Sequence, residues 1–326
     1  MGKTKIEWAT HTWNPLRVRT ENGWSFGCQK ISPGCLNCYA GRMNKRLFGG
    51  KDYTYTDAPT GFYLDQQVLE QPLHWRKPRT VFVCSMCDLF HENVGMGKQL
   101  MVLSWMMEAK QHRFMVLTKR PDIMRQLFQT AMENDKTSWP ADNVWLGVTA
   151  ENQEEANRRI PILLSIPAAH RFVSIEPMLG PVDLSTSWHD YLRGWDTDTV
   201  DDGDGYPMPE QAQTEKLDLV IVGGESGPGA RPMHPDWARS VRDQCQAAGV
   251  PFFFKQWGEW AEVPKRESGF GRIVRSGDME IAPDGTLASV TSVPGLTGRT
   301  GCTIMRRVGK KRAGRLLDGL EHNGKE

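Results

Sequence analysis

Three cysteines stand close together in the segment Gly27–Ala40, GCQKISPGCLNCYA: Cys28, Cys35 and Cys38, spaced C-x6-C-x2-C. Pro33 and Gly34 make a turn that can bring the first thiolate back onto the other two. Three thiolates on one loop are one fewer than a closed tetrahedral zinc or iron–sulfur site takes. The loop therefore calls for a fourth ligand from elsewhere or for an open coordination position. On a four-iron four-sulfur cluster, an open position is where a cofactor or substrate can bind directly. Cys84 and Cys87 form a second close pair, and Cys245 and Cys302 stand alone. An isolated cysteine is commonly a small buried apolar residue, but three around a Pro-Gly turn make a purely structural role the weaker reading. Zinc is the stronger rival, because Cys35-x2-Cys38 and Cys84-x2-Cys87 together supply a CxxC…CxxC set. Their separation is longer than the usual zinc-ribbon gap, and Cys84 lies in an apolar strand. If that strand continues, Cys84 and Met86 face one way and Ser85 and Cys87 the other. The first loop thus reads as one site, with Cys84 and Cys87 lining it or acting as secondary ligands.

The chain that must position these thiols has 326 residues, 39% hydrophobic and 24% charged, which suits one barrel or two domains. Forty Lys plus Arg against 39 Asp plus Glu leave a formal charge of +1. No global field marks a nucleic-acid or membrane-surface binder, although a local basic groove is compatible with that balance. No apolar run reaches membrane-spanning length, and the start MGKTKIEWATHTW lacks a signal-peptide core. A soluble, cytoplasmic protein is expected. In a reducing compartment, seven cysteines speak for metal chemistry or catalysis before crosslinking.

Six short segments read as buried parallel strands, being almost continuously apolar and ending abruptly: 80–85, 114–118, 144–149, 171–175, 217–222 and 251–255. Helical stretches are expected at 97–110, 122–133, 153–164 and 236–248, the last with Asp236 as N-cap and Gly249 as C-cap. Strands alternating with helices argue for an α/β fold with a parallel sheet. With a first strand near 23–27, six or seven βα units favour a partial or full TIM-type (β/α) barrel, and an open doubly wound sheet is the alternative. Two regions break the rhythm. Residues 185–215 are acidic and turn-rich and read as a surface insertion; the run DTDTVDDGDG lacks the terminal Glu of a calcium loop. The tail from Arg306, RRVGKKRAGRLLDGLEH, reads as a basic C-terminal helix, solvated by default and able to meet a polyanion.

The segments IEWATHTWNP, GCQKISPGCLNCYA, VFVCSMCDLFHE, VLTKRP, VWLGVTAENQ, FVSIEPMLGPV, DLVIVGGESGPGARP and FFFKQWGEW, with the RRVGKK tail, resemble the phage-associated three-cysteine-motif family of radical S-adenosylmethionine (SAM) proteins. The resemblance implies a radical SAM barrel over 1–262, with an N-terminal cluster loop and the insertion near 185–215, followed by a C-terminal extension over 263–326. It implies that Cys28, Cys35 and Cys38 hold a four-iron four-sulfur cluster whose fourth iron binds SAM, and that an external electron donor drives SAM cleavage. Its substrate class would be DNA or a modified nucleotide, with isomerisation of a modified thymidine in phage DNA as the leading reaction, in the host cytoplasm. One departure stands out: the superfamily spacing is C-x3-C-x2-C, and here the first gap is longer. The alternatives are a zinc-containing nucleic-acid-binding protein without catalysis and a radical SAM enzyme acting on a small molecule or peptide.

In a parallel barrel, function gathers where strands end at their C-termini. Those positions are Ser85 and Asp88, Thr118 and Lys119, Thr149 and Glu151, Glu176, Gly223, Gly224 and Glu225, then Lys255 and Gln256. Lys119, Glu176 and Lys255 are the candidate catalytic residues: Glu176 for the ribose or methionyl part of SAM, the two lysines for its carboxylate or a substrate phosphate. Ser85, Asp88, Thr149, Glu151, Gly223, Gly224 and Glu225 join Glu176 as candidate cofactor-binding residues. Solvated loop ends or plain turns are the bland counterparts. Arg120, Arg231 and His234 rank lower, and His91 and His234 lack a second His at metal-ligand spacing. Trp8, Trp13, Trp24, Trp257 and Trp260 flank these loops; core packing explains most tryptophans, and base stacking is the sharper reading.

Overall fold

A computed structural model describes residues 3–4, 6–134, 139–185, 189–196, 212–213, 215–264, 274–290 and 300–324. The chain divides into two compact units, one of Met1–Thr149, Asn157–Ser174 and Glu215–Asp218, the other of Ala150–Ala156, Ile175–Thr214 and Leu219–Glu326.

In the first unit, β1 (His11–Trp13) leads into a three-stranded antiparallel sheet of β2 (Leu16–Thr20), β3 (Gly23–Ser25) and, after α1 (Tyr39–Leu47), β4 (Phe62–Leu64). The short α2 (Gln66–Leu69) is capped by Asp65, whose carboxylate accepts the Val68 N–H. There follow β5 (Thr80–Val83), α3 (Met96–Glu108), β6 (Arg113–Thr118), α4 (Pro121–Asn134), β7 (Val144–Thr149), α5 (Gln153–Leu164) and β8 (His170–Ile175). The apolar runs are strands where expected, because residues such as Val81, Phe114, Val116, Leu146, Val148 and Phe172 are buried by 98% or more and no polar face breaks them. The first strand of the parallel sheet is β1, not 23–27. That glycine-flanked stretch pairs as the edge hairpin strand β3, and His11–Trp13 pairs with Val81–Val83 instead.

The second unit opens on small strands β9 (His189–Asp190), β10 (Trp195–Asp196) and β11 (Ala212–Gln213), which pair antiparallel. They fall within the expected acidic insertion, whose residues 197–211 lie outside the described ones. Next come β12 (Leu219–Gly223), α6 (Pro235–Ala248) and β13 (Phe252–Gln256). The N-cap of α6 is His234, two residues before the expected Asp236, and the helix begins at Pro235. Pro235 needs no hydrogen-bonded N–H at the first helical position, and the His234 ring accepts the Asp236 N–H. Gly249 ends the helix at φ +66°, as expected. Finally β14 (Trp260–Glu262), β15 (Met279–Ile281), β16 (Leu287–Ser289) and β17 (Thr303–Arg307) form an antiparallel sheet, followed by α7 (Lys310–Ala313). The expected basic tail helix shrinks to α7. Thr303–Met305 bury as a strand, so Arg306 is carried on β17 and paired with Asp278 at 2.6 Å.

The principal sheet has the order β1-β5-β6-β7-β8-β12-β13. The order never reverses, so there is no topological switch point of the doubly wound kind; this is the winding of a partial (β/α) barrel. The fold is α/β, and β1 and β13 are its two edges.

Candidate functional site

The cysteine loop is built from short local turns. Cys35 ends a single 3-10 turn, Pro33–Cys35, closed by its N–H on the Ser32 carbonyl at 2.9 Å, and Cys38 immediately precedes α1. Cys35 is buried, whereas Cys28 and Cys38 are partly buried against an apolar cluster of Phe26, Ala40, Tyr53 and Met86. Burial pushes the Cys28 thiol well up from its ordinary range, with the Asp88 charge adding to it. Burial also raises Cys38, while the amides of Gly41 and Ala40 at the start of α1 and the charge of Lys119 pull toward its thiolate.

Strand β5 does not continue through Cys87, so the alternation expected for 84–87 fails. The chain turns at once: Cys84 sits at φ +53°, and the Cys87 N–H donates to the Cys84 carbonyl at 3.1 Å. The neighbouring Cys84 thiol, and then burial, raise the Cys87 thiol well above its usual range. Asn14, which no sequence motif singled out, holds the turn. Its Oδ1 accepts from Ser85 Oγ at 3.2 Å and from the Met86 N–H at 2.9 Å. Ser85 is thereby committed to the framework, and its carbonyl accepts from the Tyr39 hydroxyl at 2.8 Å. Tyr53 donates to the Met86 carbonyl, and burial first, then the charges of Cys87, Cys28 and Cys38, push its phenol up. One ring therefore packs with the Cys28 and Cys38 side chains and is hydrogen-bonded to the Cys84–Cys87 turn.

Asp88 is the centre of a buried network beside these thiols. Its carboxylate accepts from Thr118 Oγ1 at 2.8 and 3.0 Å, from the Phe90 and Lys119 amides at 3.0 and 3.2 Å, and from Arg120 at 3.3 Å. Arg120, 5% exposed, also grips Glu92 through Nε at 2.9 and 3.0 Å and reaches the Gln29 carbonyl at 3.4 Å. Burial works against the Arg120 charge, but Asp88, Cys28 and Glu92 outweigh it and keep the guanidinium protonated. Asp88 thus ties the ends of β5 and β6 together, and Arg120 links both to the residue after Cys28. Sequence reasoning ranked Arg120 low because a loop arginine carries no sign of what it will touch. Thr149 is buried at the end of β7, its carbonyl accepting from Arg159 at 2.6 Å.

In the second unit, Glu176 and Lys255 face each other. Lys255 Nζ donates to both carboxylate oxygens, at 2.7 and 2.9 Å, and the side chains are 18% and 12% exposed. Gln256 donates through Nε2 to Glu176 at 3.3 Å and to the Gly224 carbonyl at 3.4 Å. Two acceptors on that side fix the orientation of the amide, and its buried Oε1 is left without a hydrogen-bond partner. A Cβ on Gly223 would press on the Glu176 carboxyl at 3.3 Å, and one on Gly224 would run into the Trp257 carbonyl. These glycines therefore bring the β12 and β13 loops together. Glu225, 5% exposed, is held by Arg231 through Nε at 2.9 Å, Nη2 at 2.7 Å and the backbone N–H at 2.8 Å. Glu151 is fully buried, its carbonyl accepting the Leu179 N–H at 2.8 Å. His234 serves as the α6 cap. The His91 ring is buried, with Nδ1 accepting the Asn93 N–H at 3.1 Å.

The five tryptophans separate. Trp13 is fully buried with its N–H on the Val68 carbonyl, and Trp260 is 7% exposed with its N–H on the Ala230 carbonyl. Trp8 packs on Phe82 and Phe172, and Trp257 on Phe254. Trp24 alone of the five stands out into solvent, 52% exposed.

Among the described residues, no three His, Cys, Asp or Glu side chains are drawn together closely enough to hold one metal ion. A multinuclear cluster spreads its thiolates over different irons, so this bears on a single-ion site.

A singly wound parallel sheet with buried thiols, carboxylates and cations at its C-terminal strand ends defines an α/β protein of partial-barrel topology. Residues 3–325 match the family described as protein of unknown function (DUF5131), and the chain belongs to that family. No curated protein and no solved structure matches it. Among the described residues, no helix is long and apolar enough to cross a membrane.

Proposed function

We propose that this protein is a radical SAM enzyme acting on DNA or a modified nucleotide, with isomerisation of a modified thymidine in phage DNA as its leading reaction. The observation that carries the reading is the gathering of cysteine-loop thiols and the Cys84–Cys87 turn around Tyr53, at the C-terminal end of a parallel strand. Cys28, Cys35 and Cys38 would hold a four-iron four-sulfur cluster. Such a cluster, fed by an external electron donor, supplies the electron that cleaves SAM to methionine and a 5′-deoxyadenosyl radical able to take a hydrogen atom from substrate.

The donor chemistry fits. The Cys28 and Cys38 thiols are raised chiefly by desolvation, and a bound cation that takes the place of the released proton relieves that cost. The amides of Ala40 and Gly41 and the Lys119 charge stabilise sulfur that has lost its proton. Asp88 and Arg120 hold the loop in place without being consumed. Within the second unit, the Glu176–Lys255 pair suits an amino-acid group with its ammonium and carboxylate, such as SAM carries: each side chain exchanges one ion pair for another. The Gln256 Oε1 offers an acceptor to an ammonium or a ribose hydroxyl beside that pair.

Anaerobic reconstitution tests the reading. About four irons per chain, and 5′-deoxyadenosine formed on adding SAM and reductant, are expected, with Cys28→Ala, Cys35→Ala and Cys38→Ala abolishing both. Cleavage that survives all three changes overturns it. Deuterium passing from labelled phage DNA into 5′-deoxyadenosine identifies the DNA substrate; label arriving only from a small molecule or peptide assigns the reaction there.

Zinc bound without iron, and no SAM cleavage, would make the chain a zinc-containing nucleic-acid-binding protein.

A further inference from the structure

The antiparallel sheet β2–β3–β4 has one face in the core and one in solvent. Val18 lies opposite both Ser25 and Phe62, and these three are 6%, 1% and 2% exposed. Alternation turns the intervening residues outward. Arg19 lies opposite Trp24, and Arg17 opposite Tyr63. The outer face therefore carries two arginines and two aromatics whose rings meet edge to face at 5.3 Å, with the Arg19 guanidinium 5.1 Å from the Trp24 ring. Trp24 and Tyr63 remain 52% and 49% exposed. Neither aromatic is needed by the core, which Val18 and Phe62 already fill.

The surroundings are basic. Between Leu16 and Leu64 there are seven Lys or Arg and three Asp or Glu, in a chain whose net charge is only +1. Helix α1 has Arg42, Lys45 and Arg46 and no acidic residue. It is fastened to this sheet: Asn44 accepts from Ser25 Oγ at 2.7 Å and from the Phe26 N–H at 3.0 Å, and Phe48 packs edge-on against Phe26 at 5.0 Å. Arg17 is partly engaged, with Asp65 at 3.4 Å and over the Phe26 ring at 4.3 Å, whereas Arg19, Lys45 and Arg46 are exposed.

We propose that the outer face of β2–β3–β4, with Trp24 and Tyr63 as stacking surfaces and Arg17 and Arg19 as phosphate contacts, binds single-stranded nucleic acid. Exposed π-faces accept any unstacked base, a paired duplex hides those faces, and guanidinium groups beside the rings meet the backbone. The inference deepens the nucleic-acid part of the proposed function and rests on that part alone, since it needs neither cluster nor SAM.

Fluorescence anisotropy of labelled oligo-dT, oligo-U and a mixed-sequence duplex, titrated with the full-length chain at low salt, tests it. Oligo-dT or oligo-U is expected to bind more tightly than duplex, and the preference between them assigns DNA or RNA as the natural strand. Trp24→Ala and Tyr63→Ala should each weaken single-strand binding by roughly 5- to 100-fold, Trp24→Phe should restore most of it, and the melting temperature should hold. Arg19→Gln should lower the slope of log affinity against log salt by about 0.7. Unchanged affinity in both alanine variants, or tighter binding to duplex than to either single strand, overturns the proposal. Iron content and SAM cleavage are read on the same preparations. A chain that cleaves SAM but binds no oligonucleotide loses only this inference; one that binds oligonucleotide without iron loses only the cluster reading.

Discussion

Asp88→Ala removes the hub of the network beside the cysteine loop. The carboxylate serves the Thr118 hydroxyl at 2.8 Å, the Phe90 and Lys119 amides at 3.0 and 3.2 Å, and Arg120 at 3.3 Å. Once it is gone, Arg120 keeps Glu92 and the Gln29 carbonyl, but the face of a 5% exposed guanidinium loses its buried counter-charge. Breaking a buried pair from one side costs about 3–5 kcal/mol, and each stranded donor about 1–3 kcal/mol where water cannot reach it. Partial relaxation makes the sum sub-additive, and a net loss of about 3–5 kcal/mol is expected, equivalent to a fall in melting temperature of roughly 6–20 °C for a unit of this size. Asp88→Asn keeps the shape and one acceptor oxygen and should cost less than half as much. Paired with Arg120→Leu in a double-mutant cycle, Asp88→Ala should show a coupling of about 2 kcal/mol or more. Thermal unfolding followed by tryptophan fluorescence measures the unsubstituted protein and the four variants. A coupling indistinguishable from zero, or an Asp88→Ala loss below about 1 kcal/mol, would refute the assignment of Asp88 as the brace of the loop.

Lys255→Met should leave the fold standing, with a loss of about 1–3 kcal/mol from the Glu176 carboxylate left without its charged partner. On the proposed function it should cut SAM cleavage at least about tenfold, measured as 5′-deoxyadenosine formed per minute. The raised thiols of Cys28, Cys38 and Cys87 carry a pH dependence in metal-free protein. A thiol whose folded pKa exceeds its unfolded value stabilises below the ordinary range near 8.5 and loses that contribution as pH rises through and beyond it. Stability should therefore decline above about pH 8.5, and bound metal, by replacing the protons, should flatten the decline in a urea titration. Cys245, buried in α6 and pushed up to about 12, should resist alkylation in the folded chain at all pH values below that range.

The parallel strands were legible because each is a short, nearly continuous apolar run, and burial on both faces leaves no other way to spend such a run. The 23–27 segment misled because glycine and tryptophan mark a strand without saying which sheet it joins. His11–Trp13, with only three residues, is too short for periodicity to reveal. The Cys84–Cys87 turn was hidden for a similar reason: apolar residues continue past Val83, and what ends the strand is the Asn14 side chain, contributed from a distant part of the chain.

Thus residue types and local spacing determined the cysteine triad, the βα rhythm, the α6 C-cap and the charged residues that follow apolar strands, since each depends on neighbours in the chain. Partnership was decided by the tertiary structure. It paired Glu176 with Lys255 and Glu225 with Arg231, made Asp88 and Arg120 a brace, buried Trp13 and Trp260, and left Trp24 exposed beside Tyr63. A side chain's chemistry is intrinsic, but its protonation, its committed hydrogen bonds and its access to solvent depend on atoms that only folding brings near.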